Sequence, residues 1–445
     1  MCFAGLYVRV LQIYAKKQFQ QSVCPKNSKN IILQKKEFMK RHIGLCLLLM
    51  AVSISGVLAG QQEAQQGRKL TLRINDSILF APEFHAYKYG RIKNEKGEGK
   101  RWFRRFTIMH ISDIHSNFSQ LEEALLVSAD KADVVANTGD DAHGKRAADA
   151  PRVREVLGAT SATVRRFNRR PYLQVPGNHD VTGVAKREYF NAVSAMVQEF
   201  NPGVVWGNSE SGRSYGYVDF INGENTGNFR IIMLDPFDYD DSQFENPYKY
   251  MSAVFSQRQV DWFMDALVDA AAKGYHVLTM MHYSFGDAEV FNERTANPDA
   301  LFYQDPFMIP DIIDAVQHRK RLCREYKDLS GVQDIAIDRD FSGAGELDFV
   351  AHLFGHIHSK NDYRCRKSDG TEYDILMLGE SAIGWPGTAL NRIYIEEGTI
   401  NDISFSALHI DVREKAIYRV SYGAFRHYDN PSQARSRKIM YRFGL

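Results

Sequence analysis

Five short apolar runs, each followed closely by His, Asp or Asn, constrain this chain more than any other feature of its sequence. The runs occupy residues 106–111, 133–136, 172–175, 276–281 and 349–354. Apolar runs of this length that end at Gly, Pro or polar residues are typical of buried strands. In an open α/β sheet, ligands bind in the loops just past the carboxyl ends of the strands. The pattern therefore predicts an α/β fold with polar side chains gathered at one sheet edge.

The residues after these runs are imidazoles, carboxylates and one amide. They are Asp113, His115, Asp140, Asn178, His179, Asp180, His282, His356 and His358. Carboxylate and imidazole together suit Zn, Mn or Fe rather than a metal that prefers thiolates. Asp113 and His115 are two residues apart, as are His356 and His358, and in an extended segment that spacing puts both side chains on one side. Any one of these histidines alone is more simply structural, but the ordered set predicts a metal site.

The motifs Asp-x-His, Gly-Asp, Gly-Asn-His-Asp, a lone His and Gly-His-x-His follow one another in this order from about residue 106 to residue 358. In this order of motifs the chain resembles the calcineurin-like metallophosphoesterase superfamily. The resemblance implies a four-layer α-β-β-α sandwich, in which two mixed sheets are flanked by helices. It also implies a metal-dependent phosphoric ester hydrolase, either a phosphatase or a phosphodiesterase, with a binuclear metal centre.

The resemblance further implies which residues hold the two metal ions. One ion would take Asp113, His115 and His358, the other Asn178, His282 and His356, and Asp140 would bridge both. The ions are divalent or trivalent, and the sequence leaves Mn, Fe, Zn and Mg open. Two cations about 3.5–4 Å apart activate water and clamp phosphoryl oxygens. The implied reaction is direct, in-line attack of metal-held hydroxide on a small phosphoester, without a side-chain nucleophile.

Two further residues of the Gly-Asn-His-Asp motif receive catalytic roles from the same resemblance. The family's histidine at the position of His179 acts on the leaving-group oxygen, as a general acid or by stabilising charge. Asp180 is expected to orient the His179 ring through its other nitrogen.

Several residues near the motifs carry weaker predictions. His143, Asp141 and Tyr283 lie beside ligands, and pocket lining and loop solvation are equally good interpretations. His110 and His352 lie inside strands and are expected to be packed core residues. Purple acid phosphatases have a tyrosine three residues after the Gly-Asp aspartate, where this chain has His143. A tyrosinate-coloured ferric site is therefore not expected.

Periodicity predicts helices between the motif-bearing strands and only strands after them. A helix is expected directly after His115, and others at residues 152–167, 186–200, 256–272 and 310–326. Strands are expected at residues 70–74, 84–89, 214–220, 229–234, 373–378, 392–395, 403–410 and 416–422, the last four completing the second sheet.

Residues 1–59 are predicted to be a targeting region rather than part of the fold. They contain nine Lys or Arg and one acid, and removing them leaves 47 basic and 53 acidic residues. This mildly acidic body argues against specific binding to nucleic acid. A basic start at Met39 and an uncharged run over residues 43–58 predict a signal peptide at 39–59, cut after Ala59. An exported protein, periplasmic or extracellular, with no membrane span after cleavage is expected; an uncleaved anchor is the alternative.

The predicted organisation follows from these segments. It comprises an upstream extension at 1–38, the signal peptide at 39–59, a strand-containing segment packed on the core at 60–100, a metallophosphoesterase domain at 101–425 and a basic tail at 426–445. After the leader only Cys323 and Cys365 remain, and pairing and separate thiols are both open.

Two alternative functions accompany the exported phosphoesterase. One is a cyclic-nucleotide or other phosphodiesterase. The other, of a different class, is a non-catalytic surface or binding module that keeps the fold. The sequence predicts no partner beyond a small phosphoester substrate and fixes neither the oligomeric state nor the substrate.

Overall fold

A computed structural model shows how the motif-bearing strands are arranged. It describes residues 87–93, 99–129, 131–144, 147–181, 186–208, 213–238, 253–285, 305–327, 333–356, 362–366, 370, 372–380, 404–423 and 438–444. Within the part of the chain that it describes, no helix is long and apolar enough to cross a membrane. The predicted leader, and the strands expected at 70–74 and 392–395, lie outside these residues.

The described residues form seventeen strands and five α-helices. The strands are β1 Tyr89–Lys93, β2 Gly99–Arg104, β3 Phe106–Ile111, β4 Val134–Asn137, β5 Tyr172–Gln174, β6 Val205–Trp206, β7 Gly216–Phe220, β8 Phe229–Met233, β9 His276–Met280, β10 Arg321–Tyr326, β11 Ile335–Asp340, β12 Asp348–Phe354, β13 Asp362–Arg366, β14 Glu372–Gly379, β15 Ser404–Asp411, β16 Ala416–Gly423 and β17 Lys438–Arg442. The helices are α1 Phe118–Ser128, α2 Ala150–Phe167, α3 Lys186–Phe200, α4 Gln257–Ala272 and α5 Met308–Gln317.

Two mixed sheets carry all five motif-bearing strands. The first has the order β17-β16-β15-β3-β4-β5, and the second has the order β13-β14-β12-β9-β8-β7-β6. β3, β4 and β5 are parallel, as are β8, β9, β12 and β14. Parallel strands all end at the same edge of a sheet, so the loops after them share one edge in each sheet.

Apolar side chains hold the two sheets against each other. Phe106 on β3 stacks on Phe229 on β8 with ring centroids 4.3 Å apart. Helices α1, α2 and α3 cover the first sheet and α4 and α5 cover the second, which gives the four layers α-β-β-α. β15 is buried over its whole length because it has packing partners on both faces. The predicted α/β sandwich fold is confirmed.

Two of the described helices, α1 and α4, begin where a side chain caps them. Asn117 accepts a hydrogen bond from the backbone N–H of Gln120 at the start of α1, at 3.1 Å. Ser256 caps α4 in the same way through the backbone N–H of Gln259. Side-chain oxygens at these positions satisfy backbone N–H groups that have no partner within the helix. The predicted helices at 186–200 and 256–272 match α3 and α4 to within a residue.

One predicted helix is wrong in its second half. Residues 310–326 were expected to be a single helix, but α5 ends at Gln317 and residues 321–326 form β10. Arg319 adopts a left-handed conformation with φ +54°, which ends the helix and turns the chain. β10 then pairs with β11, in which Ile335 and Ile337 are buried and alternate with exposed residues, a period of two that only a strand can use.

Four strands were expected after residue 358, all in the second sheet, and this is wrong for the two at 403–410 and 416–422. β13 and β14 join the second sheet, whereas β15, β16 and β17 join the first through an antiparallel pairing of β15 with β3. The alternation of apolar and polar residues in a strand indicates which of its faces is buried. It does not indicate the neighbouring strand with which that strand pairs.

The two remaining cysteines do not form a disulfide with each other. Cys323 is exposed on β10, and Cys365 is buried on β13, where its Sγ lies 3.9 Å from the carbonyl oxygen of Phe285.

Candidate metal centre

The loop after β3 carries Asp113 and His115 in an unusual backbone conformation. Both have positive φ, +52° and +45°, and Ser116 follows at +69°. The backbone N–H of Asp113 bonds the carbonyl of Gly139, and that of His115 bonds the carbonyl of Asp140, at 2.8 and 3.0 Å. The expectation that Asp113 and His115 lie in an extended segment is therefore wrong. Positive φ in residues other than glycine is uncommon and clusters at functional sites.

Asp140 lies at the centre of the site, with its two carboxylate oxygens in different surroundings. Oδ1 accepts the backbone N–H of His179 at 2.8 Å. Oδ2 is buried and makes no hydrogen bond within the described chain, although it lies 3.2 Å from Nε2 of His282 and 3.9 Å from Nε2 of His115. A buried carboxylate oxygen without a hydrogen bond is costly, and a cation at this point would satisfy it.

The imidazoles around Asp140 are fixed by backbone carbonyls behind them. Nδ1 of His115 bonds the carbonyl of Ala142 at 2.9 Å, and Nδ1 of His282 bonds the carbonyl of Thr138 at 2.8 Å. A carbonyl can only accept, so Nδ1 carries the proton in both rings. Nε2 of each ring is therefore directed at Asp140 and is the nitrogen that would ligate a metal, the arrangement that metal-binding histidines commonly show.

Asn178 joins the residues from the second sheet. Its Oδ1 lies 3.0 Å from Nε2 of His282 and 3.0 Å from Nδ1 of His356. The backbone N–H of His356 also donates to both carboxylate oxygens of Asp113 at 3.1 Å, which connects the loop after β12 to the loop after β3.

Two potential ligand groups share Asp140. Asp113, His115 and Asp140 form one group, and Asp140, His282 and His356 form the other, each with ligand atoms within 4.8 Å of one another. Residues predicted from distant parts of the sequence are thus brought together on both sides of one carboxylate. His358 lies outside the described residues, so its predicted ligation stays a prediction. The donor set of carboxylate, imidazole and amide oxygen fits two metal ions with Asp140 between them.

The charges at the site are strongly coupled. Burial alone would lower the pKa of His282, but the carboxylates of Asp140 and Asp113 outweigh it and raise that pKa to about 9. Burial alone would raise the pKa of Asp140, but the imidazoles of His282, His179 and His115 hold it well below its usual range. Negative charge from Asp140 and Asp113 is thus concentrated at the point where bound cations would offset it.

His179 and Asp180 occupy the same turn but make separate contacts. Nδ1 of His179 bonds the carbonyl of Gly144 at 3.0 Å, and the N–H of Gly144 bonds the carbonyl of His179 at 2.8 Å. The carboxylate of Asp180 accepts backbone N–H groups of Asp140, Gly177 and Ala142 instead. The prediction that Asp180 orients the His179 ring is therefore wrong, because a backbone carbonyl already takes Nδ1.

Of the three residues next to predicted ligands, His143 lies at the site, and Tyr283 and Asp141 are buried beneath it. His143 is half-buried and stacks flat on His115 with centroids 4.3 Å apart. Tyr283 is fully buried with its ring edge against His356. Asp141 is fully buried and accepts hydrogen bonds from Asn137 and Gln174, at 2.9 and 2.6 Å.

Sequence reasoning missed the backbone groups that build the site. The carbonyls of Thr138, Ala142 and Gly144 fix three imidazoles. The only sequence signal for this close packing is the glycine in Gly-Asp and in Gly-Asn-His-Asp. A Cβ on Gly177 would lie 2.1 Å from Oδ1 of Asp140, and one on Gly139 would lie 2.4 Å from the nitrogen of Gly177.

The match to one protein-family model agrees with this description of the fold. The model of a family described as calcineurin-like phosphoesterase matches residues 106–360, which include all five motifs. No curated protein matches the chain. Among solved structures the chain is similar to a dimetal phosphatase from Danio rerio, at 14% identity, 76% of this chain, 99% of that chain and a TM-score of 0.44. It is also similar to PhoD, at 11% identity over 76% of this chain and 70% of that chain, with a TM-score of 0.42. A third similar structure is phosphopantetheinyl hydrolase from Mycobacterium tuberculosis, at 14% identity over 62% of this chain and 90% of that chain, with a TM-score of 0.28.

Proposed function

The chain belongs to the calcineurin-like phosphoesterase family, whose model matches residues 106–360, and from that premise we propose that it is an exported, binuclear-metal phosphoesterase. The observation that carries the proposal is the pair of ligand groups that share Asp140, whose Oδ2 is buried without a hydrogen bond in the described chain. A chain that kept only the fold would not need this oxygen to stay unsatisfied.

The residues would hold two metal ions in the following way. Asp113, His115 and Asp140 would hold one ion, and Asp140, Asn178, His282 and His356 the other, with His358 added to the first as the motif implies. When bound, the two ions would lower the pKa of water and offset negative charge on the phosphoryl oxygens. Imidazole and carboxylate ligands accept several metals, and availability decides among them.

His179 is suited to protonate the leaving group. Its Nδ1 is held by the carbonyl of Gly144, so Nε2 is the nitrogen that can meet substrate. The ring lies beside the site, with its centroid 5.4 Å from that of His115. In the proposed reaction a water oxygen bonds to phosphorus and releases its proton to solvent. The bond from phosphorus to the leaving oxygen breaks, and that oxygen takes the proton from Nε2 of His179.

A metal titration with an ester pair tests the function. The purified chain is stripped with chelator, reloaded with Mn²⁺, Zn²⁺, Fe²⁺ or Mg²⁺, and assayed on p-nitrophenyl phosphate and bis-p-nitrophenyl phosphate. We expect hydrolysis that depends on about two equivalents of metal, and the rate ratio separates a monoesterase from a phosphodiesterase. His282→Ala should lose both metal and activity, whereas His318→Ala, at an exposed histidine, should retain them. A wild-type chain that binds no metal would contradict the proposal.

Export is the part of the proposal that rests on sequence alone. The basic start at Met39 and the apolar run that follows it support a cleaved signal, and the substrate would then be a small phosphoester outside the cytoplasm. Intact mass of the protein recovered from the producing cells tests this. A mature chain that begins at Gly60 is expected, and a chain that retains residues 1–38 would refute it.

A further inference from the structure

The turn that carries Asn178, His179 and Asp180 surrounds Asp140 on several sides. The backbone N–H of His179 donates to Oδ1 of Asp140 at 2.8 Å. Gly177 approaches so closely that a Cβ there would lie 2.1 Å from the same oxygen and 2.2 Å from the backbone nitrogen of Asp140. Asp140 has thus one fixed oxygen, and the other, Oδ2, points towards His282 and His115.

The carboxylate of Asp180 completes this enclosure. Its Oδ2 accepts the backbone N–H of Asp140 at 2.8 Å and that of Gly177 at 3.0 Å, and its Oδ1 accepts the N–H of Ala142 at 2.8 Å. Asp180 is fully buried, so water does not compete for these donors. One side chain thereby fixes the backbone on both sides of the Asp140 carboxylate.

Asp140 needs such support because its backbone is strained. Its φ is +59°, a conformation that non-glycine residues seldom adopt and that persists only when the surroundings impose it. The preceding Gly139 is also left-handed, at +94°. If the three N–H groups lost their acceptor, the Gly139–Ala142 turn would relax, and Oδ2 of Asp140 would no longer point between the two ligand groups.

We propose that Asp180 is a positioning residue for the bridging carboxylate of Asp140, acting through the backbone N–H groups of Asp140, Ala142 and Gly177 and not through the imidazole of His179. The inference rests on the proposed function in one respect, that Asp140 bridges two metal ions. The ring of His179 needs no carboxylate, because reciprocal bonds with Gly144 already hold it.

Asp180→Asn separates the two roles. The asparagine has nearly the same size but presents an NH₂ group where one carboxylate oxygen accepted an N–H, so the turn loses an acceptor and gains a repulsion. Positioning of Asp140 predicts a roughly 10- to 100-fold loss of metal affinity, as for other groups that orient metal ligands. The affinity is measured by titration of the stripped chain with Zn²⁺ and with Mn²⁺, which requires no turnover.

The second measurement is the dependence of kcat/KM on the leaving-group pKa in a series of aryl phosphoesters at saturating metal. His179→Ala should make this dependence steeper, because a poor leaving group then lacks its proton donor. Asp180→Asn should keep the wild-type slope. A steeper slope in Asp180→Asn, at any metal affinity, would overturn the proposal, and so would wild-type metal affinity in that variant.

Asp141→Asn is the matched control for charge. Asp141 is also fully buried and next to Asp140, but its oxygens accept side-chain donors, Nδ2 of Asn137 and Nε2 of Gln174. If Asp180→Asn weakens metal binding no more than Asp141→Asn does, the effect is only the lost negative charge and the proposal fails. If Asp180→Asn does not fold, Asp180→Glu replaces it, because it keeps the carboxylate and shifts it by one methylene.

Failure of the phosphoesterase proposal gives a different result. In that case the wild-type chain hydrolyses none of the esters, while the metal titrations still rank the wild type, Asp141→Asn and Asp180→Asn. Metal affinity therefore tests the positioning role of Asp180 even if no substrate is found.

Discussion

At the scale of single residues, the site depends on backbone conformations that few side chains tolerate. Asp113, His115, Asp140 and His356 all have positive φ, between +45° and +69°. Each is a predicted metal ligand. At each of these residues the left-handed conformation turns the backbone away from an extended path. The strain is offset by partly buried hydrogen bonds such as those from the N–H of His356 to Asp113.

The close approach at Gly177 gives a direct prediction. Gly177→Ala would place a Cβ 2.1 Å from Oδ1 of Asp140, a distance that requires Asp140 to move. A shift of about 1 Å at a catalytic group can cost about 100-fold in rate. We expect Gly177→Ala to lose that much phosphoesterase activity together with metal affinity, measured by kcat/KM and metal titration.

Gly158→Ala is the control for that substitution. Gly158 lies within α2 with no atom within 4 Å of the added Cβ. Alanine should stabilise the helix by about 0.5–1 kcal/mol and leave metal binding unchanged. Equal effects of the two substitutions on metal binding would show that the contact with Asp140 is unimportant.

His179 gives a second prediction at this scale. Its backbone N–H donates to Oδ1 of Asp140, and alanine retains that N–H. His179→Ala should therefore bind metal like the wild type but lose roughly 100- to 10,000-fold in kcat, the usual contribution of a general acid. Metal content by mass spectrometry and steady-state kinetics check both halves, and full activity would reject the role.

At the scale of elements, one arginine connects the two sheets near the site. Arg419 on β16 of the first sheet reaches the carbonyl of Gly379 at 2.6 Å and Glu380 at 2.9 Å, both at the end of β14 in the second sheet. It also pairs with Asp362 on β13. Arg419 and Glu380 are both almost fully buried, so these bonds are shielded from water. The cluster therefore fixes the end of β14, which is next to β12 and its His356 loop.

Removal of Arg419 should be strongly destabilising. Arg419→Met would leave the carboxylates of Glu380 and Asp362 buried without their cation, and breaking a buried ion pair costs about 3–5 kcal/mol. The free energy of unfolding in urea measures this. Arg321→Met is the control, since Arg321 pairs with Asp338 in the exposed hairpin of β10 and β11, and it should leave that free energy nearly unchanged. Similar values for both variants would contradict the cross-sheet role.

At the scale of the whole molecule, two buried histidines make stability depend on pH. His352 lies in the second sheet, where Nε2 donates to the carbonyl of Tyr283 and Nδ1 accepts from the hydroxyl of Thr279, at 2.9 and 2.8 Å. Burial lowers the pKa of His352 to about 3 and that of His409, in the first sheet, to about 3 as well. Both rings are therefore neutral in the folded chain.

These two histidines make the folded chain less stable as the pH falls. The folded pKa is below the unfolded value of about 6.5, so the unfolded chain takes up a proton first as the pH falls. The stability that these histidines contribute is complete above about pH 6.5 and is lost between there and about pH 3. For each histidine the loss is about 1.4 kcal/mol per pH unit.

His352→Phe should reduce this dependence. The ring keeps its packing against Phe285, with centroids 3.7 Å apart, but no longer titrates. For the metal-free chain between pH 4 and 6, the plot of unfolding free energy against pH should be shallower than in the wild type by about 1.4 kcal/mol per unit. His318→Phe, at an exposed histidine, is the comparison variant. Identical slopes for the wild type and His352→Phe would refute the argument.

Local patterns in the sequence were sufficient to predict the family, the sandwich fold and the strand ends on which polar side chains gather. These features were predictable because apolar runs, glycines and the order of motifs can be recognised along the chain without knowing how distant segments pack together. α1 and α3 were predictable for the same reason, since their apolar faces repeat within a few residues.

The folded structure alone brings distant segments of the chain into contact. It placed β15 beside β3 and directed Asp180 to three backbone N–H groups, away from the adjacent His179. It also left Oδ2 of Asp140 between His115 and His282 without a hydrogen bond in the described chain. A hydrogen bond is chosen by which donors the folded chain brings within about 3 Å, and that distance is set by packing across both sheets and not by separation along the sequence.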